Sequence, residues 1–201
     1  MKKGNLELII GPMYSGKSTE LIKIANRYKC INKKILPVNH FLNSRYDTNN
    51  ISTHDKNVFP DCLIVKNLFE LKEKYLELFY EADIIIIEEL QFYPDAYDFI
   101  TSVCDQHHKT IIAAGLNGDS KRNPFGDVLR LIPHAEKVTF LYALCKLCGD
   151  GTTAHFTKDI KINDADNDTQ IFIGGVEKYQ SVCRYHYLSN WNKDNKNNQH
   201  N

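Results

Sequence analysis

The sequence predicts an α/β fold in which a parallel β-sheet carries helices on both faces. Apolar, strand-like runs alternate with amphipathic, helix-like segments as far as residue 137. The four consecutive isoleucines at 84–87 are bounded by acids, which is typical of a central parallel strand buried on both faces. A glycine-rich turn joins the first strand-like run to the first helix-like segment. Ligands of such sheets bind at the carboxyl ends of the strands, so this turn marks a candidate site.

The individual elements follow from hydrophobic spacing. We expect strands at 6–10, 33–38, 62–65, 84–87 and 110–114. Apolar side chains at helical spacing predict helices at 19–29, 68–80 and 93–107, with Pro94 near the first turn of the last helix. Residues 39–56 are polar and lack a period, so we expect a long surface loop there.

Composition limits the size of the core and the kind of partner. The chain has 201 residues, of which 42% are hydrophobic, enough for one full core with a small appendage. Its formal net charge is zero, so it lacks the basic field that holds a polynucleotide, and no nucleic-acid partner is expected. We expect no contact with membranes, because no apolar run approaches the ~18 residues of a spanning helix or suits a signal peptide. A cytoplasmic location with reduced cysteines is therefore predicted.

The loop at 11–18 fits the phosphate-binding pattern G-x-x-x-x-G-K-[ST] at every fixed position. Its two glycines let the loop turn back, so that backbone N–H groups point at phosphate oxygens. Lys17 brings a positive charge to the β- and γ-phosphates, and the Ser18 hydroxyl can hold Mg²⁺. A chance glycine-rich turn is the alternative. The strand before the loop and the helix after it favour a phosphate site.

Two acids, Glu88 and Glu89, end the isoleucine strand. Nucleotide enzymes place a second Mg²⁺ ligand on a carboxylate that leaves a buried strand beside the phosphate loop. We assign this role to Glu88, directly or through a water, which leaves Glu89 to take the proton of an attacking hydroxyl. The alternative is that both acids only end the strand and face solvent. The predicted ATP-binding residues are Gly11, Pro12, Met13, Tyr14, Ser15, Gly16, Lys17, Ser18, Thr19, Glu88 and Gln91.

A second kind of site is indicated by two knuckles of the pattern C-x-x-[CH], Cys145 with Cys148 and Cys183 with His186. Four such ligands suit a tetrahedral structural Zn²⁺. The 34 residues between the knuckles exceed the spacing of a common zinc ribbon, so the metal would tie the base of a long loop. A redox C-x-x-C would not explain the second knuckle. A surface histidine at position 186 is the remaining alternative for the fourth ligand.

Taken together, these motifs resemble the cytosolic and viral-type (type II) thymidine kinases. The resemblance spans about residues 6–187. It rests on GPMYSGKSTEL at 11–21, SRY at 44–46, THD at 53–55, E-x-Q-F at 89–92, GLNG at 115–118, PFG at 124–126 and GGVEKYQSVCR at 174–184.

The resemblance implies a RecA-like P-loop domain, which we place at 1–140, and a small zinc-binding domain at 141–189 whose long loop closes over the nucleoside like a lasso. The polar tail at 190–201 is predicted to lack order. The resemblance also implies transfer of the ATP γ-phosphate to the 5′-hydroxyl of thymidine, and also of deoxyuridine. Mg²⁺, a structural Zn²⁺, a homotetramer and feedback binding of thymidine triphosphate (dTTP) belong to the same expectation.

Residue by residue, the resemblance puts Glu89 on the family's catalytic base, Glu88 on its metal-associated acid and Arg45 on an arginine that approaches the transferring phosphate. Lys17 completes the predicted catalytic set. The implied nucleoside pocket is lined by Met13, Phe92, Leu116, Ser120, Phe125, Thr157, Phe172 and Tyr179. The lasso backbone implied to bind the base comprises Gln170, Ile171, Phe172, Ile173 and Gly174. Residues that depart from the family's common pattern are Asn43, Glu88, Leu90, Ser120, Asp159 and His186, and none of them removes the core chemistry.

Two other functions stay open at this point. One is a P-loop ATPase whose zinc module acts on nucleic acid, against which the zero net charge counts. The other is a nucleotide-binding scaffold without catalysis. The presence of Lys17, Ser18 and Glu89 counts against a scaffold of this kind.

Overall fold

The structure is a computed structural model, and it describes residues 4–43, 51–52, 58–160 and 178–189. The strands are β1 (Asn5–Gly11), β2 (Ile35–His40), β3 (Ile51–Ser52), β4 (Val58–Phe59), β5 (Leu63–Val65), β6 (Ile84–Ile87), β7 (Thr110–Leu116), β8 (Lys137–Phe140), β9 (Ala143–Leu144), β10 (Thr153–Ala154), β11 (Phe156–Asp159) and β12 (Tyr179–Val182). The helices are α1 (Lys17–Lys29), α2 (Glu70–Glu73), α3 (Leu76–Glu81), α4 (Ala96–His107) and α5 (Arg184–Leu188). Short 3₁₀ turns lie at Phe41–Asn43, Leu90–Phe92 and Leu129–His134.

Six strands form the central sheet in the order β5-β2-β6-β7-β1-β8, and every neighbouring pair is parallel. The chain therefore leaves β6, β7 and β1 at the same edge of the sheet. In the β1–β7 register, Gly11 of the phosphate loop lies opposite Leu116. This topology confirms the predicted parallel α/β fold and brings the candidate site together at the carboxyl edge.

Both faces of the sheet are covered by apolar side chains. Along β6, Ile85 and Ile87 pack on one face and Ile84 and Ile86 on the other, and none is more than 2% exposed. Helix α1 covers the face of Ile84 and Ile86, whereas α2, α3, α4 and the turn Leu129–His134 cover the opposite face. The prediction of helices on both faces is confirmed.

The prediction of one continuous helix at 68–80 is wrong. The chain forms α2 and α3 instead, because Tyr75 between them leaves the helical region with φ −126° and ψ 39°. The break lets Phe79 enter the core, where it is fully buried, and leaves Leu76 and Leu78 about half exposed. Apolar spacing suggested one continuous stripe because it does not report which apolar side chains reach the core.

Several element boundaries differ from the sequence prediction, and one strand was not predicted. Helix α4 begins at Ala96 rather than 93, and Asp95 before it accepts a hydrogen bond from the backbone N–H of Phe69. Strand β2 runs on through Asn39 and His40, which pair with β5 although both are polar. Strand β8, which the sequence analysis did not predict, closes the edge of the sheet beside β1.

Beyond β8, the chain forms two small antiparallel pairs, β9 with β10 and β11 with β12. Their apolar centre is a cluster of five buried residues: Ala143, Cys145, Ala154, Val182 and Cys183. None of the helices formed by the described residues has the length and apolar character needed to cross a bilayer.

Candidate active site

The phosphate loop connects β1 to α1 and requires glycine at two points for different reasons. Gly16 has a φ of 83°, a left-handed conformation that side chains rarely adopt, and it caps the amino end of α1. A Cβ on Gly11 would lie 2.4 Å from the carbonyl oxygen of Leu141, so only glycine fits this close approach. The Lys17 ammonium donates a hydrogen bond to the carbonyl of Pro12 at 2.8 Å, which keeps its charge over the loop.

Across the sheet edge, the Ser18 hydroxyl donates a hydrogen bond to Oε1 of Glu88 at 2.7 Å. Glu88 is only 3% exposed, and its second oxygen, Oε2, has no hydrogen-bond partner in the described part of the chain. Burial raises the pKa of Glu88 to about 8 and the charge of Glu89 adds to this effect, whereas Ser18 and the charge of Lys17 oppose it. A hydroxyl beside an unpaired, buried carboxylate oxygen is a set of hard oxygen ligands, and it fits Mg²⁺.

The neighbouring acid, Glu89, is held in a different way. Its backbone is left-handed, with φ 55° and ψ 44°, which is strained for a residue that carries a side chain. Oε2 of Glu89 accepts a hydrogen bond from the Gln91 amide at 2.5 Å, and Oε1 of Gln91 accepts one from the Leu116 N–H at 3.0 Å. Gln91 is 4% exposed, so this bridge fixes the Glu89 carboxylate relative to β7.

The sequence analysis missed this bridging position of Gln91, because it assigned the side chain to ATP. One bonding partner, Glu89, follows β6 and the other, Leu116, ends β7, and only the E-x-Q spacing hints that Gln91 could reach Glu89. Lys17 completes the charge cluster: burial lowers the pKa of Lys17, and the negative charges of Glu89 and Glu88 counteract this.

Several residues of the predicted nucleoside pocket lie beside these acids. Phe92 and Phe125 make an edge-to-face contact with ring centroids 5.6 Å apart, and Phe92 also lies 5.5 Å from the ring of His40. Leu116 ends β7 next to the phosphate loop. The backbone carbonyl of Ser120 accepts a hydrogen bond from the hydroxyl of Tyr187 on α5 at 2.8 Å. This bond joins the Ser120 loop to the helix that follows the antiparallel pairs β9–β10 and β11–β12, which we call the metal-side hairpins.

The remaining pocket residues that the structure describes lie where the phosphate loop meets the metal-side hairpins. The backbone N–H of Met13 donates to Oγ1 of Thr157 at 3.0 Å, and the Tyr14 hydroxyl donates to the carbonyl of Tyr179 at 3.3 Å. Arg45 and the predicted lasso residues 170–174 lie outside the described residues. An open cleft of about 600 Å³ also runs along this junction, and among the predicted site residues that the structure describes only Pro12 and Cys183 line it.

The two knuckles meet as the spacing predicts. One ligand atom from each of Cys145, Cys148, Cys183 and His186 lies within 4.8 Å of all the others. The three sulfurs lie 3.3–3.5 Å from Nδ1 of His186, and the sulfurs of Cys148 and Cys183 are 3.8 Å apart. A tetrahedral zinc with Zn–S near 2.3 Å and Zn–N near 2.1 Å would separate its ligands by about 3.8 and 3.6 Å. The residues therefore fit Zn²⁺.

The local backbone prepares this cluster for a metal. Burial acts to raise the pKa of Cys145, but hydrogen bonds from the backbone of Cys183, Cys148 and Leu147 and from the Cys148 side chain outweigh it and lower the pKa to about 6. Gly149 turns the first knuckle with φ 67°, and its N–H donates to the Cys145 carbonyl. Lys158 supports the second knuckle, because its ammonium donates to the carbonyls of His186 and Ser189.

Comparison with known proteins agrees with this geometry. A family model described as thymidine kinase matches residues 4–187. The chain belongs to the thymidine kinase family.

Individual thymidine kinases align with nearly the whole chain. Thymidine kinase a of Arabidopsis thaliana is 38% identical over 188 residues, covering 93% of this chain and 76% of the relative. Thymidine kinase 1 of Dictyostelium discoideum is 38% identical over 199 residues, with 96% and 81% covered. The thymidine kinase of Yaba monkey tumor virus is 39% identical over 187 residues, with 93% and 96% covered. Membership of the thymidine kinase family identifies the chain as a kinase.

Proposed function

We propose that the chain phosphorylates thymidine, and also deoxyuridine, by transferring the γ-phosphate of ATP to the 5′-hydroxyl, which converts thymidine to dTMP in nucleotide salvage. The observation that carries the proposal is the pair of acids after β6. Glu88 contacts Ser18 of the phosphate loop, while Glu89 is held by Gln91 beside the aromatic pair Phe92 and Phe125. Glu88 would thus face the phosphates of ATP, and Glu89 would face the 5′-hydroxyl of the nucleoside.

In the proposed reaction, the 5′-oxygen of the nucleoside attacks the γ-phosphorus of ATP. A new P–O bond forms, the bond to the β,γ-bridging oxygen breaks, and ADP leaves with that electron pair. Glu89 takes the hydroxyl proton on Oε1, because Gln91 occupies Oε2. Lys17 and the loop's backbone N–H groups stabilise the negative charge on the phosphates.

Ser18 and Glu88 would hold Mg²⁺, which neutralises phosphate charge when bound. Both ligands are already in contact, and the unpaired Oε2 of Glu88 is available for a further bond. Cys145, Cys148, Cys183 and His186 would hold Zn²⁺, whose contribution is structural. Thr157 and Tyr179 would complete the nucleoside pocket, with Arg45 and residues 170–174 supplied by loops outside the described residues.

Several finer assignments belong to the same proposal. We place the nucleotide-binding domain at 1–140 and the zinc-binding domain at 141–189. The enzyme would act in the cytoplasm as a homotetramer, and dTTP would bind as a feedback inhibitor. These assignments rest on membership of the thymidine kinase family, and each can be measured directly.

The direct test is phosphate transfer from labelled ATP to thymidine and to deoxyuridine, with the product identified by chromatography. Lys17→Ala should nearly abolish transfer while the protein stays folded. Lys23→Ala is the matched control, because Lys23 is an exposed lysine on the same helix, paired with Glu20 at 3.0 Å. Rapid ATP hydrolysis that requires nucleic acid, with no nucleoside product, would support a P-loop ATPase instead.

A further inference from the structure

The metal-side hairpins hold the phosphate loop at two consecutive residues. The N–H of Met13 donates to the Thr157 hydroxyl on β11, and the Tyr14 hydroxyl donates to the Tyr179 carbonyl on β12. Thr157 is only 6% exposed, so its bond to Met13 is shielded from water. Strands β11 and β12 therefore hold the phosphate loop directly before residues 15–18. In a loop of this kind, the N–H groups of these residues face the phosphates.

Tyr14 needs such support, because its backbone is left-handed with φ 63°. A residue with a side chain adopts this conformation at a cost, and it stays there only when its surroundings hold it. If Tyr14 relaxed, the following N–H groups would turn away from their common focus. The direction of the phosphate-binding groups thus depends on contacts made outside the loop.

These contacts lead directly to the metal ligands. The Tyr14 ring packs against the apolar cluster that contains Cys145 and Cys183. Strand β12 runs straight into Cys183, and the carbonyl of Ser181 on this strand accepts a hydrogen bond from the N–H of Lys146, next to Cys145. The ligand cluster, β12 and Tyr14 form one continuous packed unit.

We propose that Tyr14 is a positioning residue through which the Cys₃His cluster holds the phosphate loop in its binding conformation. The metal centre then sets the affinity of the loop for nucleotide phosphates, in addition to tying the long loop between its knuckles. This inference rests on the proposed function for its kinetic consequence. Its structural part, loop geometry coupled to the ligand cluster, can be measured without any turnover.

The first test uses the zinc-loaded protein and Tyr14→Phe, which removes only the hydroxyl. Binding of a non-hydrolysable ATP analogue with Mg²⁺, measured by calorimetry, should weaken about threefold to tenfold, as expected for the loss of one hydrogen bond. KM for ATP should rise by a larger factor than KM for thymidine, and by a larger factor than kcat falls. Tyr80→Phe, in a tyrosine 60% exposed on α3, is the matched control and should leave the analogue affinity, both KM values and kcat unchanged. Equal analogue affinity in wild type and Tyr14→Phe would overturn the proposal.

The second test removes zinc with a chelator and follows amide hydrogen exchange in the peptide that covers residues 12–18. Exchange should speed up in the wild type, and analogue affinity should fall. In Tyr14→Phe the same treatment should cause a smaller loss of affinity, because the link is already weakened. Full additivity of the two effects, or unchanged exchange in the loop, would contradict the coupling. A wild type that binds the analogue but phosphorylates no nucleoside would refute the proposed function and leave this inference intact.

Discussion

The central sheet and the metal-side hairpins bury apolar side chains on very different scales. The sheet packs two apolar clusters, one on each face, around side chains such as Ile85 and Ile86 that are at most 1% exposed. The hairpins share one cluster of five buried hydrophobic residues in the described part of the chain, and two of these, Cys145 and Cys183, belong to the group that could hold a metal. Burial of apolar area can therefore stabilise the sheet, whereas bonds from the Cys₃His cluster to a metal would have to stabilise the hairpins.

The two regions also contribute different residues to the candidate active site. Glu88, Glu89 and Lys17 all belong to the part of the molecule held by the sheet. The hairpins contribute Thr157 and Tyr179, which reach the phosphate loop from the other side. Damage to the two regions should therefore have different signatures.

The largest effect is expected from loss of the metal. Structural Zn²⁺ contributes roughly 10–16 kcal/mol in small zinc domains, so Cys145→Ser should lose zinc and expose the hairpins. Hydrogen exchange should accelerate at residues 143–160 and 178–188 while β1, β6 and β7 stay protected. Cys30→Ser, in an exposed cysteine after α1, is the control with the same chemical change. Hairpins that remain protected without metal would remove the contrast between the two regions.

The next effect concerns turnover with the hairpins intact. Glu89→Gln should lower kcat about 10²- to 10⁴-fold with nearly normal ATP binding and full zinc content, because only the proton acceptor is lost. Glu88→Gln should instead raise the Mg²⁺ concentration needed for activity. A Mg²⁺ titration of both variants separates the roles. If excess Mg²⁺ rescues Glu89→Gln but not Glu88→Gln, the two carboxylates have been assigned the wrong way round.

A substitution in the core of the sheet should lower the free energy of unfolding and leave zinc binding unchanged. Ile86→Ala removes buried methyl groups and should reduce the free energy of unfolding by about 2–5 kcal/mol, measured by denaturant titration. Zinc content of the folded protein should stay at the wild-type level. Ile31→Ala, at a position 63% exposed, should change stability by less than about 0.5 kcal/mol. Loss of zinc from folded Ile86→Ala would show that the metal site depends on the packing of the sheet core.

The smallest effect is a pH dependence that belongs to the sheet alone. Burial lowers the pKa of His40 to about 4, although a hydrogen bond with the backbone of Lys66 and the charge of Asp95 oppose it. Between about pH 6.5 and pH 4, His40 is protonated in the unfolded chain and neutral in the folded chain. Stability should therefore fall as the pH falls, by up to about 3 kcal/mol from this group.

The measurement compares the free energy of unfolding of wild type and His40→Gln across that pH range. The advantage of the wild type over the variant should shrink toward pH 4, because only the wild type carries the titrating group. Other acids titrate in both proteins and cancel. Parallel pH profiles would rule out His40 as the source.

Local patterns determined a large part of this protein in advance. The phosphate loop, the buried isoleucine strand and the two cysteine knuckles are recognisable because each concentrates its chemistry within a few consecutive residues. Glycine at positions 11 and 16, lysine at 17 and a C-x-x-C spacing have few other physical uses in such contexts. The alternation of strands and helices was likewise sufficient to predict a parallel sheet, because periodicity reports which faces are apolar.

Tertiary structure decided the contacts that turn these motifs into a site. Ser18 and Glu88 are 70 residues apart, and Met13 and Thr157 are 144 apart, yet each pair shares a hydrogen bond. The bridge from Glu89 through Gln91 to Leu116, the burial of polar Asn39 and His40 in β2 and the break at Tyr75 were equally beyond local inspection. Sequence periodicity records the preference of a residue for apolar or polar surroundings. Which residue it meets across the sheet edge depends on strand order and on the register of neighbouring strands, and these are set only when the whole core packs.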